Sequence, residues 1–428
     1  MSIMYSFLLD SESGYNLEST TDSDFYQGTP SYLYNLLKHL YPNTTRTTID
    51  KVQGKVIYEI VTSQGFKWNP QKILDTIHTV QPKLIGMMQK QKAVLHIDLT
   101  WEGNPLINQY AVWHDQIKKH AIPISSVIVS TSNLKENSTY NKWCKSNNIT
   151  EQMKIIAFPH NANYTKFDMK FDSELTYEIH MQYKSTHNIK SFLSLNNKMH
   201  SKRIALAAML NYYNLLDNCL ASFSLFDKLP DNPLWWCIPV DQHPAYEQKN
   251  IINLKKKLPL VLDKKPWTDV LYDPTTHHHP YVDHWSMIQT VSHYLQTWFH
   301  VAVETSIFDS RQKHPFASTP IEFNFVTEKT FRPIKAFQPF VIFSMPGALQ
   351  DLKQLGFRTF DQFWSEDYDN ILDVQQRLEA VVDVIKTLCN LPSDTWLQMY
   401  KDMQPILEHN HHVLMHTEWI PTLEAVLG

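Results

Sequence analysis

Glycine is scarce in this chain: nine among 428 residues, and none between Gly103 and Gly347. A glycine-rich phosphate loop of the GxGxxG or GxxxxGK type is thereby excluded across the middle of the sequence, so a phosphate bound there must be held by side chains and a helix N-terminus. Cysteine is equally sparse. Cys144, Cys219, Cys237 and Cys389 lie far apart, with no CxxC pair and no zinc-type spacing, and read as reduced, mostly buried thiols of a cytosolic protein. No stretch approaches the roughly 18 apolar residues of a membrane-spanning helix. Asp10, Ser11 and Glu12 interrupt the apolar residues near the start, so neither a signal peptide nor a membrane anchor is expected. The formal charge of −4 gives no global attraction to nucleic acid or to an anionic membrane, and a polyanionic partner would have to meet a local basic patch. Low-complexity tracts and fixed-period repeats are also missing.

What is present is α/β alternation, in a chain longer than a single core usually serves. Lys55 to Ile60, Ala93 to Asp98, Ser126 to Ser130 and Lys154 to Phe158 read as strands. Asn69 to Gln81, Leu106 to His120 and Thr139 to Ser146 read as helices between them. Near residue 190 the pattern restarts. Ser191 to Asn196 is a strand, Ile204 to Asn214 a helix, and strand-like runs follow at Ala221 to Phe226 and Pro259 to Leu262. Trp267 to Trp285 reads as a long surface loop. A helix from Trp285 to Trp298 then feeds the strand Phe299 to Thr305, and a helix over Thr327 to Ala336 feeds the strand Pro339 to Phe343. Ile371 to Leu388 is a long amphipathic helix with Leu372, Val374, Leu378, Val381, Val382 and Ile385 on its apolar side. Ser393 to His409 is another, kinked or broken near Pro405. Alternation of this kind predicts two Rossmann-like α/β domains with parallel sheets, over residues 1–188 and 189–428, facing a cleft that is the default ligand site.

Three groups of charged residues fit an anionic ligand. Thr327-Glu328-Lys329 opens a helix, whose N-terminus carries partial positive charge and free N–H groups, and Lys329 adds a full charge. Arg332, one turn after Glu328, can brace that carboxylate or reach a phosphate. The bland alternative is a helix cap with a surface ion pair. Glu304 ends an apolar strand, where a buried carboxylate costs several kcal/mol unless partnered, and Lys329 or a ligand hydroxyl would suffice. Its alternative is a solvated strand end. Lys202-Arg203 precedes the Ile204 helix, an unfavourable place for cations unless an anion is nearby, and Arg203 can clamp a diphosphate with two parallel hydrogen bonds.

The runs Val301-Ala302-Val303-Glu304-Thr305-Ser306, Phe325-Val326-Thr327-Glu328-Lys329-Thr330-Phe331 and Pro339-Phe340-Val341-Ile342-Phe343 resemble the donor half of fucosyltransferase-like GT-B glycosyltransferases. Phe192 to Arg203 resembles the strand, loop and arginine with which those enzymes open that domain. The run Leu355-Gly356-Phe357-Arg358-Thr359-Phe360-Asp361-Gln362-Phe363-Trp364 is similar to the ends of glycosyltransferase-like proteins of tailed phages. Residues 190–390 carry the resemblance; the first domain shares only the general pattern. It implies a first domain on the acceptor side, a second that binds a nucleotide diphosphate sugar, and a last helix that crosses back to the first domain. Lys202, Arg203 and Lys329 would meet the diphosphate and Glu304 and Glu328 the nucleoside, with Thr327 opening the donor-binding helix. The family has Glu-Asn-Ser where this chain has Glu304-Thr305-Ser306, so guanosine and uridine diphosphate sugars both stay open. Implied acceptors are a glycan or a hydroxymethylated pyrimidine in phage DNA, in the cytoplasm of a bacterium or an infected host.

An inverting transfer needs a base for the acceptor hydroxyl. Asp98 and Glu102, at the end of the second strand, are the candidates. Either can instead be a turn or capping acid. No metal cofactor is expected. His277-His278-His279 with Asp283 and His284, and His409-Asn410-His411-His412, are dense in ligand types, but adjacent histidines point in different directions. Asp22-Ser23-Asp24 and Asp367-Tyr368-Asp369 read as loop and cap residues. The competing class is a carbohydrate-binding or virion protein that keeps the fold without catalysis. Trp235, Trp236, Trp267, Trp285 and Trp298 would suit sugar stacking in either case.

Overall fold

The computed structural model describes residues 5–9, 45–46, 55–61, 73–74, 77, 80–100, 105–167, 175–196, 200–225, 243–260, 262, 293–305, 307 and 322–419. The chain forms two compact units. One comprises Met1–His160, Phe316–Phe325 and Glu418–Gly428, the other Asn161–Pro315 and Val326–Thr417.

In the first unit the described residues form the four strands expected, β3 (Lys55–Val61), β4 (Ala93–Leu99), β5 (Val127–Thr131) and β6 (Lys154–Ala157), and two more, β1 (Tyr5–Leu9) and β2 (Thr45–Arg46). They pair in parallel in the order β2-β1-β3-β4-β5-β6. Burial of nearly every residue of β4 and β5 is what a parallel sheet covered on both faces requires. Helices α1 (Pro82–Gln89), α2 (Tyr110–Lys119) and α3 (Glu136–Ser146) belong to this unit. Trp113, Ile117 and Tyr140 join Leu95, Ile97, Val127 and Val129 in one core. Of the helix expected over Asn69 to Gln81, the described residues Ile73, Leu74 and Ile77 are helical. A separate helix, α1, opens at Pro82, a residue suited to a first helical position.

In the second unit α4 (His160–Phe167, its first residue shared with the boundary) and α5 (Tyr177–Thr186) precede β7 (Lys190–Asn196), α6 (Ser201–Tyr212) and β8 (Leu220–Phe223). Then come α7 (Gln248–Lys257), β9 (Thr297–Val303), α8 (Glu328–Lys335), β10 (Phe340–Phe343) and α9 (Ala348–Gln354). Helices α10 (Val374–Cys389), α11 (Ser393–Asp402) and α12 (Gln404–His416) complete it. The parallel strand order is β10-β9-β7-β8. The chain therefore winds outward in one direction from β7 to β8 and in the other from β9 to β10. The carboxyl ends of β7 and β9 flank the reversal, the place where open parallel sheets bind ligands.

Several expectations need correction. The second unit begins at Asn161, not at residue 189, because α5 is packed within it. The ring of Tyr177 stacks on Tyr400 at 5.5 Å, and the buried ammonium of Lys184 donates to the carbonyls of Tyr294, Leu295 and Thr297. Helix α12 also stays in this unit: His411 Nδ1 donates to Lys335 O at 3.0 Å and its ring stacks on Phe337 at 4.1 Å. Only the segment from Glu418 is grouped with the first unit. The break expected near Pro405 is present: the segment from Ser393 forms two helices that divide at Met403, with Pro405 in the first turn of the second. Leu372 lies before α10 and is 51% exposed, so it is not part of the buried side. Of the described residues in the run Pro259 to Leu262, Leu260 forms one antiparallel bridge to Phe223.

Candidate functional site

The second unit brings Arg203, Glu304, Thr327, Glu328, Lys329 and Arg332 to the strand ends at its winding reversal. Glu304 directly follows β9 and is 0% exposed. One carboxylate oxygen accepts from Thr327 N–H at 3.0 Å and from the Thr330 hydroxyl at 2.6 Å. The other accepts from the Thr327 hydroxyl at 2.6 Å and from Thr305 N–H at 3.3 Å. Glu304 is thus bonded to the first turn of α8, where the helix dipole favours negative charge. Its partners in the structure are threonine hydroxyls and N–H groups, where the sequence offers Lys329 or a ligand hydroxyl. The local signal for Thr330 in the sequence is a hydroxyl three residues past a threonine cap.

Thr327 caps α8, accepting from Lys329 N–H at 3.4 Å. The Lys329 ammonium donates to Thr327 and Thr305 hydroxyls at 3.0 and 3.1 Å and to Glu328 Oε1 at 3.1 Å. Three protons meet three acceptors. The Lys329 and Glu328 side chains keep 18% and 16% exposure, enough to meet a ligand. Burial pushes the Glu328 carboxyl up, but Lys329 and Arg332 outweigh it and hold the group at about 2. Arg332 also acts electrostatically on Tyr294 and His300. It therefore braces Glu328 from the core side.

Helix α6 begins three residues earlier than its apolar periodicity suggests, which places Lys202 and Arg203 in its first turn. Arg203 is 5% exposed. Burial lowers its pKa, while Glu328 and Glu304 act to raise it. Those two carboxylates are the anions that a cation at a helix N-terminus needs. Lys202 is half-buried beside it. With Lys202, Arg203, Lys329 and Arg332 against Glu304 and Glu328, the cluster carries a surplus of positive side chains, suited to a polyanion.

The two base candidates fare differently. Asp98, at the end of β4, is 1% exposed, and its Oδ1 accepts from Thr100 N–H at 3.0 Å and from the Thr100 hydroxyl at 2.7 Å. That is the geometry of an acid that holds a turn. Moreover, the winding of the first sheet reverses between β1 and β3, so β4 ends one strand away from its crevice. Glu102 lies outside the described residues, as do Asp22-Ser23-Asp24, the histidine run from His277 to His284, Ser306, Cys237 and Trp235, Trp236, Trp267 and Trp285.

Other residues singled out in the sequence prove structural. Trp298 is buried and stacks on Trp396 at 5.8 Å, so it is core and not a sugar platform. Asp369 accepts from Leu349 and Gln350 N–H and so caps α9. Phe357, Phe360 and Trp364 are buried, with Phe360 edge-on to Phe340 at 5.1 Å. Among the described residues no group of three or more His, Cys, Asp or Glu side chains could hold a metal ion, and no helix is long and apolar enough to cross a membrane. Cys144, Cys219 and Cys389 are free thiols.

No protein-family model and no curated protein matches the sequence. Solved structures similar to it include an α,α-trehalose 6-phosphate synthase from Burkholderia multivorans, at 10% identity and a TM-score of 0.40, over 95% of this chain and 83% of that one. The catalytic domain of starch synthase IV from Arabidopsis thaliana, bound to ADP and acarbose, gives 8% identity and 0.41, over 99% and 97%. A UDP-GlcNAc 2-epimerase from Neisseria meningitidis, bound to UDP-GlcNAc, gives 11% and 0.34, over all of both chains. These scores lie below 0.5, and the fold of this chain rests on its own strand order.

Proposed function

We propose that the protein is a metal-independent, inverting glycosyltransferase of GT-B type that moves a sugar from a nucleotide diphosphate sugar to a hydroxyl acceptor. The observation that carries this reading is the convergence of Arg203, Lys329 and the threonine-capped start of α8 at the winding reversal of a parallel sheet. In the reaction the acceptor oxygen attacks the anomeric carbon and its proton passes to a carboxylate base, for which Glu102 stays the candidate once Thr100 engages Asp98. The bond from sugar to diphosphate breaks, and its electron pair stays on the diphosphate oxygen. Lys329 and Arg203, with Lys202 at the rim, offset that charge in a site that needs no reorganisation. Glu328, ionised far below neutral pH, is free to accept from ribose hydroxyls. The acceptor is a glycan or a hydroxymethylated pyrimidine of phage DNA, and free thiols suit a cytoplasmic setting.

A thermal-shift panel of ADP, GDP and UDP tests the donor half. A ligand at a hundred times its dissociation constant stabilises by about 2.7 kcal/mol, so one base should raise the melting temperature clearly. Arg203→Lys keeps the charge but loses the two-pronged guanidinium, and Lys329→Met removes a cation. Each should weaken binding by about tenfold or more, since hydrogen bonds to charged groups contribute about 1.5–3 kcal/mol. No shift with any of the three would remove the reading. Comparing turnover on oligosaccharides with turnover on hydroxymethylated duplex DNA then separates the acceptors.

A further inference from the structure

The run from His409 to His412 does diverge, as expected of neighbours in sequence. His409 Nε2 meets Gly356 O at 2.9 Å and His411 Nδ1 meets Lys335 O at 3.0 Å, both away from His412. One turn further on, His416 joins His412. Both are exposed on α12, and their rings stack with centroids 4.1 Å apart and planes 20° from parallel. The geometry points to a binding site for one divalent transition cation, of the zinc, nickel or copper class, chelated by His412 and His416 and completed by water.

The i, i+4 spacing puts the two imidazoles on one helix face, as in the histidine pair that holds zinc in HExxH helices. Metal–nitrogen bonds of about 2.0–2.1 Å place two nitrogens roughly 3.4 Å apart around a tetrahedral ion. Rings that stack face to face with centroids 4.1 Å apart must swing out of the stack to aim both lone pairs at one ion, a rotamer change open to exposed side chains one turn apart on a helix. His416 Nδ1 donates to the His412 carbonyl at 3.0 Å, which fixes the tautomer and leaves Nε2 with its lone pair for a metal. Imidazole selects zinc, copper and nickel over calcium or magnesium. Chelation would staple the last turn of α12, just before the chain passes at Glu418 into the residues of the first unit, at a helix end that otherwise frays. The ordinary alternative is a pair of solvated histidines that complement the helix dipole.

Calorimetric titration of zinc chloride into the full chain decides between them. The histidines at 277–284 can take metal of their own, so the readout is a difference in equivalents bound. His412→Ala and His416→Ala should each bind one equivalent fewer, or bind it at least about tenfold more weakly, because even the loss of an outer-shell partner costs that much. His409→Ala should bind as the parent does. Repeating the titration with His412→Gln and His416→Gln, which keep side-chain bulk on the helix, guards against a variant that loses the helix itself. Equal stoichiometry and affinity in the parent and in both pairs of variants would overturn the site.

Discussion

Glu304→Ala is expected to lower unfolding free energy by about 3–5 kcal/mol, the range found when one partner of a buried charged network is removed. The substitution leaves the Thr327 and Thr330 hydroxyls and the Thr327 and Thr305 N–H groups, which now donate to the carboxylate, without an acceptor in a dry site. Each orphaned group carries its own desolvation cost. Glu304→Gln should lose about half as much. The amide oxygen still accepts from the Thr327 hydroxyl and Thr305 N–H, and the Thr330 hydroxyl can rotate to accept from the amide NH2, which leaves the Thr327 N–H unmatched. Urea unfolding of the three proteins measures this, and a Glu304→Ala midpoint equal to that of the parent would show that the carboxylate does not hold α8.

The same pair of variants separates two roles. The family resemblance implies that Glu304 meets the nucleoside, whereas the geometry commits both of its oxygens to α8. If it only positions the helix, Glu304→Gln keeps the nucleoside diphosphate shift while losing stability. If it accepts from the ribose, Glu304→Gln loses the shift in proportion to a ligand hydrogen bond. Glu328, with 16% of its side chain exposed, is the better placed of the two for the ribose.

The strands were legible because a parallel sheet buried on both faces demands continuous apolar runs, and those runs stand out from any neighbouring sequence. The start of α8 was legible for a similar reason: a threonine cap followed by an acid is a local signal. What was not legible depends on partners remote in sequence. Nothing near Glu304 announces that Thr330, 26 residues on, supplies a hydroxyl. Asp98 looked like a strand-end acid open to a crevice, but Thr100 two residues later folds back onto it. Helices α4 and α5 follow the first sheet in sequence, and contacts remote in sequence show which core they serve: Lys335 donates to Thr165 O on α4, and Lys184 of α5 to the carbonyls of Tyr294 and Leu295. The i, i+4 pair on α12 stands outside the His409–His412 run, because facing neighbours on a helix are one turn apart.

Acid should unfold the second unit well above the pH at which carboxylates titrate, and His180 is the residue through which to show it. Burial, helped by Lys184, keeps His180 well below its ordinary value. His300 is pushed down to about 3 by burial and by Arg332. Neither ring nitrogen of His180 has a hydrogen-bond partner, nor does His300 Nδ1. In the unfolded chain each imidazole takes up a proton as pH falls through roughly 6.5. The folded protein resists, so over that interval the unfolded state binds more protons and stability falls as pH drops. Each histidine contributes slightly more than about 1 kcal/mol per pH unit. Stability is therefore lost progressively as pH falls below about 6.5, for as long as the folded imidazoles stay neutral. His180→Leu fills a similar volume between Phe337 and Tyr400, whose rings lie 6.5 and 6.4 Å from the imidazole, and strands no polar atom. It should raise stability at pH 7.5 by about 1–3 kcal/mol and make the acid slope shallower by slightly more than about 1 kcal/mol per pH unit. Chemical unfolding at half-unit steps from pH 7.5 to 4.5 reads both effects. Parallel slopes for parent and variant would mean that His180 is protonated in the folded state, and that its nitrogens have found a partner in solution.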